Sequence, residues 1–160
     1  MTLFYLYRTF RILKQSTMNI EEIINQNDLA EAVDLLREFD LAYTDLNQPN
    51  VRLFKFSESG KLVGLGGLEI YRNRALLRSV AVAKEFQDKK AGRFICNWLE
   101  NWAIENQLSE LYLLTTTAPG FFAHLGYQII QRDEFPENLR QTAQFSELCP
   151  ASSVYMMKNL

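Results

Sequence analysis

Cysteine and histidine are scarce in this chain. Its 160 residues hold two cysteines, Cys96 and Cys149, and one histidine, His124. The cysteines lie far apart, no C-x-x-C pair exists, and one histidine adds little. A metal site is therefore not expected. Neither is a disulfide framework, and a reducing, cytoplasmic compartment is the simplest reading. Charge of one sign is also missing. Seventeen Lys and Arg face nineteen Asp and Glu, a net charge of −2, which gives no electrostatic case for nucleic acid. No apolar run approaches the length that crosses a bilayer. Repeats and low-complexity tracts are absent. Neither nucleic acid nor membrane is an expected partner, and the chain is expected as a monomer or homodimer. What is present suffices for a core: 48% of residues are hydrophobic, in a chain of one-domain length.

Residues 1–17 differ from the remainder. They carry Arg8, Arg11 and Lys14, the aromatics Phe4, Tyr5, Tyr7 and Phe10, and no acid. A secretory signal places charge before its apolar stretch, and here the order is reversed. Two readings stand: a short extension before a natural start at Met18, or an amphipathic tail that packs on a partner or membrane surface. Composition favours the first. The expected division is an extension over 1–17 and one domain over 18–160.

Within that domain the pattern alternates between strand and helix periods. Residues 19–24 read as a strand. Asp28 and Glu31 have the spacing of a capping box, and Leu29, Ala32, Val33 and Leu36 follow on one helical face. Residues 40–50 read as a loop. Residues 51–56 alternate, with Val51, Leu53 and Lys55 on one side and Arg52, Phe54 and Phe56 on the other. Glu58-Ser59-Gly60 forms a hairpin turn. The returning strand, 61–71, carries Gly64, Gly66 and Gly67, which point to bulges or close backbone approach. After a turn at 72–74, residues 75–83 are apolar on nearly both faces and read as a central strand. Ile95, Trp98, Leu99 and Trp102 mark a long helix within 87–106. A strand over 110–114, a short helix over 119–125 stopped by Gly126, a strand over 127–131, an irregular helical stretch over 136–148 and a strand over 154–158 complete the order. This predicts an α/β fold: one mixed, mostly antiparallel sheet with helices on both faces.

One junction carries the chemistry. The buried strand Leu77-Arg78-Ser79-Val80-Ala81-Val82-Ala83 feeds the loop Gln87-Asp88-Lys89-Lys90-Ala91-Gly92-Arg93 and then the long helix. The first amides of a helix have no intrahelical acceptor and sit at the positive end of its dipole. Such an end can hold a pyrophosphate, with Lys89, Lys90 and Arg93 adding charge-assisted hydrogen bonds.

These residues resemble the GCN5-related N-acetyltransferase family. The family's Gln/Arg-x-x-Gly-x-Gly/Ala loop is met by Gln87-x-x-Lys90-x-Gly92. Ser79-Val80-Ala81-Val82 matches the strand that pairs with the pantetheine arm of CoA. Phe121-Phe122-Ala123-His124-Leu125-Gly126-Tyr127 resembles a later aromatic and glycine segment. The resemblance spans about residues 19–158. It implies acetyl-CoA as co-substrate, with cofactor contacts at Val80, Ala81, Val82, Gln87, Asp88, Lys89, Lys90, Ala91, Gly92, Arg93 and Phe122, and CoA in a splay between the fourth and fifth strands. A narrower resemblance, to the arsenic-resistance type within that superfamily, rests on Leu76 to Val82, on Leu113-Leu114-Thr115-Thr116-Thr117-Ala118, and on Gln144-Phe145-x-x-Leu148-Cys149-Pro150-Ala151-Ser152. It implies acetylation of the amine of a small, anionic metabolite or toxin, with a role in tolerance to arsenic or to a related amino-acid toxin.

Three positions depart from the family pattern. Lys90 stands where a loop glycine is usual, and costs about 1 kcal/mol if φ is positive there. Phe122 replaces a tyrosine that elsewhere protonates the CoA thiolate. Leu76 stands where some members carry a carboxylate base. The amine must nevertheless be neutral to attack a thioester, so a carboxylate is expected nearby. Glu69, in the glycine-rich strand, is the candidate base, against the reading of an ordinary exposed acid. A backbone N–H such as that of Val80 is a candidate oxyanion donor. Strand alternation puts Leu76, Arg78, Val80 and Val82 on one face. An arginine among those side chains needs an anionic partner: a substrate anion held by Arg78, or an internal carboxylate such as Glu69. Thr115 is a candidate substrate contact, against the reading of a helix cap. His124, Trp98 and Trp102 read as packing. Two further functions stay open: a non-catalytic CoA-binding module, and acetylation of protein amines through an acidic groove near Glu58 and Glu69.

Overall fold

The computed structural model describes residues 17–87, 90–148 and 151–160. The extension expected over 1–17 lies almost wholly outside them, as do Asp88, Lys89 and Cys149. The order is β1 (Asn19–Glu22), α1 (Gln26–Glu38), β2 (Val51–Glu58), β3 (Lys61–Tyr71), β4 (Arg74–Val82), α2 (Ala91–Glu105), β5 (Glu110–Thr115), α3 (Pro119–His124), β6 (Gln128–Ile130), α4 (Glu137–Arg140) and β7 (Val154–Asn159). The strands form one sheet in the order β1-β2-β3-β4-β5-β7-β6. Every neighbouring pair is antiparallel except β4 and β5. The mixed, mostly antiparallel fold is as the periodicity predicted.

Local chemistry accounts for most boundaries. The β2–β3 hairpin turns at Ser59 and Gly60, with φ of 50° and 79°, the left-handed pair that matches strand twist. Gly126 has φ of 94°. Its N–H bonds Ala123 O at 3.0 Å, and Tyr127 N–H bonds Phe122 O at 3.1 Å, a paired closure that ends α3 as expected. The start of α1 differs from the sequence reading. Asn25, not Asp28, is its N-cap: Asn25 Oδ1 accepts from Asp28 N at 2.9 Å. Asp28 instead sits inside the first turn and takes Lys55 Nζ at 2.7 Å. That ion pair holds the Asp28 carboxyl below its ordinary pKa and the Lys55 ammonium above its own.

The sheet separates two apolar layers. On one face α2 lays Ile95, Cys96, Leu99 and Ala103 on Phe54, Phe56, Leu68 and Leu77. Trp98 meets Phe54 and Phe56 edge-on at 4.9 and 5.5 Å. Burial of Ile95 or Leu99 contributes about 1.5–3 kcal/mol each. On the other face α1 packs Ala32, Leu35 and Leu36 over Leu53, Leu65 and Ala81. Further along, Leu76 and Tyr112 meet Phe135, Leu139 and Phe145. The β3 glycines let α2 come close. A Cβ on Gly64 would collide with Ala81 O and lie 2.8 Å from Ile95 Cδ1.

A bulge in β4 changes the expected facing. Leu65 of β3 pairs with Ala81, but Gly67 pairs with Arg78. Two steps on β3 therefore oppose three on β4. Ser79 takes up the extra residue with φ of 57°. The side-chain period is two, so one added residue exchanges the faces beyond it. Leu76 and Arg78 lie toward the α1 layer, whereas Val80 and Val82 pack on the α2 layer. The four do not share one face.

Candidate functional site

The sheet opens between its two parallel strands. Residues 74–76 of β4 pair with 110–112 of β5, and the pairing stops there. Yet β4 runs on to Val82 and β5 to Thr115. Past the bulge, β4 therefore turns an edge without a ladder partner toward the opening. The cleft between them is lined by Leu77, Arg78, Ser79 and Val80 of β4, Leu113 and Leu114 of β5, and Phe122 of α3. Asp40, Leu41 and Ala42, just after α1, form another wall. Thr116, Thr117, Gln144 and Ser153 complete it.

Gly92, in the first turn of α2, lies beside Val82 at the end of β4 and beside Phe121. Lys90 is the N-cap of α2, with φ of 61° and ψ of 13°, and makes no side-chain cap hydrogen bond. The first helical amide bond is Phe94 N–H to Lys90 O at 3.1 Å. The amides of Ala91, Gly92 and Arg93 thus precede any intrahelical acceptor, and the first turn contains no acid. An uncapped, acid-free helix start is chemically suited to a phosphate group. A Cβ on Gly92 would make an ordinary contact with Phe121, 3.4 Å from its Cζ. Gln87 donates from Nε2 to Val82 O at 3.1 Å, closing the end of β4. The left-handed geometry expected at Lys90 is present on a residue with a Cβ. An acid-free helix start beside a strand edge without a ladder partner suits the extended, anionic body of a CoA thioester.

Arg78 has internal partners. It is 4% exposed. Its Nη1 donates to Asp45 Oδ2 at 2.6 Å and to Glu69 Oε2 at 2.9 Å, and its Nη2 donates to Asp45 Oδ1 at 2.5 Å. Burial opposes the charge, but the hydrogen bonds and charges of Asp45 and Glu69 outweigh it and hold the Arg78 pKa above its ordinary value. Of the two partners open to Arg78 in the sequence, the structure shows the internal one, Glu69, and adds Asp45. The partner is mainly Asp45, which strand periodicity does not disclose because it lies in an irregular loop.

Glu69 is also committed. It is 3% exposed, accepts from Tyr71 Oη at 2.6 Å as well as from Arg78, and is not among the residues lining the cleft. Burial and these two contacts keep its carboxylate out of the cleft, so the geometry offers no support for Glu69 as the base. Nor does a shared acidic groove form: Glu69 pairs with Val51 and Glu58 with Lys61, at opposite ends of the β2–β3 ladder. The Thr115 hydroxyl accepts from Ala118 N at 3.1 Å, the capping alternative, while Thr116 and Thr117 reach the cleft. Val80 and Phe122 line it as well. Ala81 turns toward α1, and Gln87, Lys90 and Arg93 are exposed near the α2 start. The sequence reading missed Asp40, the acid among the described residues lining the cleft. Its αL conformation, φ 54°, has no glycine or turn dipeptide to announce it.

Among the described residues no cluster of His, Cys, Asp and Glu could hold a metal ion, and no helix is long and apolar enough to cross a membrane.

A mixed sheet parted between its two parallel strands, with a helix starting beside the open edge, is the arrangement that the resemblance to acetyltransferases implies. The comparisons make this narrower. Residues 15–127 match the model of the Acetyltransferase (GNAT) family, and the chain belongs to that family. It is 29% identical over 103 residues to an uncharacterised N-acetyltransferase of Chlorobaculum tepidum, covering 63% of this chain and 66% of that protein. It is 26% identical over 145 residues to the uncharacterised protein YyaT of Bacillus subtilis, covering 82% and 97%. Its fold is similar to N-acetylglutamate synthase from Neisseria gonorrhoeae complexed with CoA and L-arginine. There the TM-score is 0.74 at 20% identity, over 91% of this chain but only 34% of that one. An acetyltransferase from Streptococcus agalactiae matches with a TM-score of 0.69 at 19% identity, over 89% and 98%.

Proposed function

We propose that this protein transfers acetyl from acetyl-CoA to the amine of a small molecule bound in the cleft between β4 and β5. The observation that carries the reading is the alignment of the unpaired β4 edge with the bare N-terminus of α2. Ala91, Gly92 and Arg93 would hold the pyrophosphate through backbone amides, with Lys90 and Arg93 supplying positive charge. The unpaired edge of β4 would take the pantetheine arm. When bound, acetyl-CoA supplies an activated acyl carbon. The chain's part is to orient the amine, remove its proton and offer hydrogen-bond donors to the developing oxyanion.

Asp40 is the group we assign to proton removal, directly or through water, since it is the carboxylate on the cleft wall. The backbone N–H of Val80 is our oxyanion donor. Phe122 supplies no proton, so the thiolate would leave to solvent or to a bound water. The cleft mixes Ser79, Thr116, Thr117 and Gln144 with Leu77, Leu113 and Phe122, which suits a compact polar amine. An anionic acceptor has less to recommend it once Arg78 is paired internally. The resemblance to the arsenic-resistance type makes amino-acid toxins the first acceptors to try.

The phenylalanine at 122 and the withdrawn Glu69 favour a second reading, a CoA-binding module without turnover. One experiment separates the two. Acetyl-CoA binding is measured by calorimetry, and CoA release is followed across acidic, neutral and basic amines. Binding with turnover supports the enzyme, binding without turnover the module, and no binding defeats both.

A further inference from the structure

We infer that Asp45 is a positioning residue for the acceptor wall of the cleft, an inference that rests on the acetyl-transfer reading above. The segment 39–50 joins α1 to β2 and takes part in no strand ladder. Its early part, Asp40 to Ala42, is the cleft wall. Its later part is tied to the body at two adjacent buried residues, Asp45 and Leu46. Leu46 packs in the apolar layer under α1. That contact is non-directional, and an apolar side chain can shift within it at little cost. Asp45 supplies direction. Both its carboxylate oxygens meet Arg78, one on each terminal nitrogen, a planar two-point contact that fixes orientation as well as distance.

The anchor is itself buried and held from a second side. Arg78 lies in β4 immediately before the bulge residue Ser79 and is bound on its other side by Glu69, which Tyr71 holds in turn. The chain Tyr71, Glu69, Arg78, Asp45 therefore runs from β3 through β4 into the loop. It connects the strand that lines one side of the cleft to the segment that forms the opposite wall. None of Tyr71, Glu69 or Asp45 lines the cleft. Asp45 thus acts through the placement of Asp40 to Ala42, not by touching the substrates. The α2 N-terminus, assigned above to the pyrophosphate, lies outside this chain of contacts.

That separation gives the test. Asp45→Asn keeps the shape but turns one acceptor oxygen into a donor facing Arg78. Asp45→Glu keeps both oxygens on a longer arm. For Asp45→Asn, the KM for the amine found with the natural protein is expected to rise by about tenfold to a hundredfold, the scale set by misplacement remote from the chemistry. The KM for acetyl-CoA should stay within about twofold, and Asp45→Glu should recover part of the loss. Melting curves establish that each variant is folded at the assay temperature. An unchanged amine KM in folded Asp45→Asn overturns the inference. So do equal rises in both KM values, or unfolding of both variants, since each means that Asp45 serves the fold as a whole. If the natural protein binds acetyl-CoA but acetylates no amine, the acetyl-transfer reading falls first and takes this inference with it.

Discussion

Arg78 and Asp45 meet two-on-two in a buried ion pair that spans 33 residues of sequence. With Glu69 as a second carboxylate, the guanidinium makes its contacts inside the protein. Removing it leaves two buried acids facing one another. Arg78→Ala is expected to lower stability by about 3–5 kcal/mol, seen as a fall in Tm and in the urea midpoint. Arg78→Lys should recover little, because an ammonium cannot bridge both carboxylates in the plane. A near-normal melt for Arg78→Ala would show that the pair contributes nothing net.

Arg93 stands in the first turn of α2, beside the amides assigned to the pyrophosphate. Arg93→Glu puts a negative charge where an anion is to bind. The Kd for acetyl-CoA is expected to rise by about tenfold or more, roughly 1–2 kcal/mol, and the effect should shrink as salt is added. Unchanged calorimetry would place the pyrophosphate elsewhere.

Lys90 adopts a left-handed conformation that a side chain resists. Lys90→Gly relieves that strain and should stabilise the protein by about 1 kcal/mol, visible as a raised Tm. A lowered Tm would mean that the lysine side chain contributes more than its backbone costs.

Phe122 lines the cleft and packs edge-on against Phe121 and Tyr127, at 5.1 and 5.7 Å. Phe122→Tyr adds a proton donor at that wall. The variant is expected to fold and to keep or increase turnover. A folded but inactive variant would show that packing fills the place where the hydroxyl must go.

Among the described residues, one thiol and three phenols resist losing a proton, Tyr127 among them through burial and then Glu100. Burial, then Glu100, pushes the Cys96 thiol up from its ordinary 9.0 to about 12. Burial, then the hydrogen bond to Glu69, takes Tyr71 from 10.0 to about 12, and burial, then the hydrogen bond to Glu110, does the same for Tyr112. A folded-state pKa above the unfolded one gives stability that is complete below the unfolded value and lost as pH rises through the folded value. Here that window opens near pH 9 and extends to about 12. Melting temperatures should therefore fall across it, and less steeply for the Cys96→Ala, Tyr71→Phe double variant. Equal slopes would remove these groups as the cause.

The fold was largely legible in the sequence because hydrophobic period and turn chemistry act locally. Phe54 and Phe56 alternate onto the α2 side, Ser59-Gly60 turns the hairpin, and Gly126 closes α3. The site was legible in part, and the failures share a cause. The bulge at Ser79 needs a left-handed residue, and serine does not advertise one. Alternation then carried Val80 and Val82 to the wrong face. Asp45 sits in a loop without periodicity, so the partner of Arg78 could not be located from spacing. Glu69 was legible as a partner for Arg78, but its contact with Tyr71 and its burial, which withdraw it from the cleft, were not.

The gap between β4 and β5 also decides how the sheet works as a piece of material. Seven strands are drawn as one surface, but β1 to β4 and the trio β5, β7 and β6 share only the seam of residues 74–76 against 110–112. They are two ribbons stitched at one end. A long molecule lying along the open edge of β4 would act as the missing stitches, joining the ribbons where the protein's own backbone does not. Occupancy of the cleft would then register far from it, as slower amide exchange along β4 and β5 together.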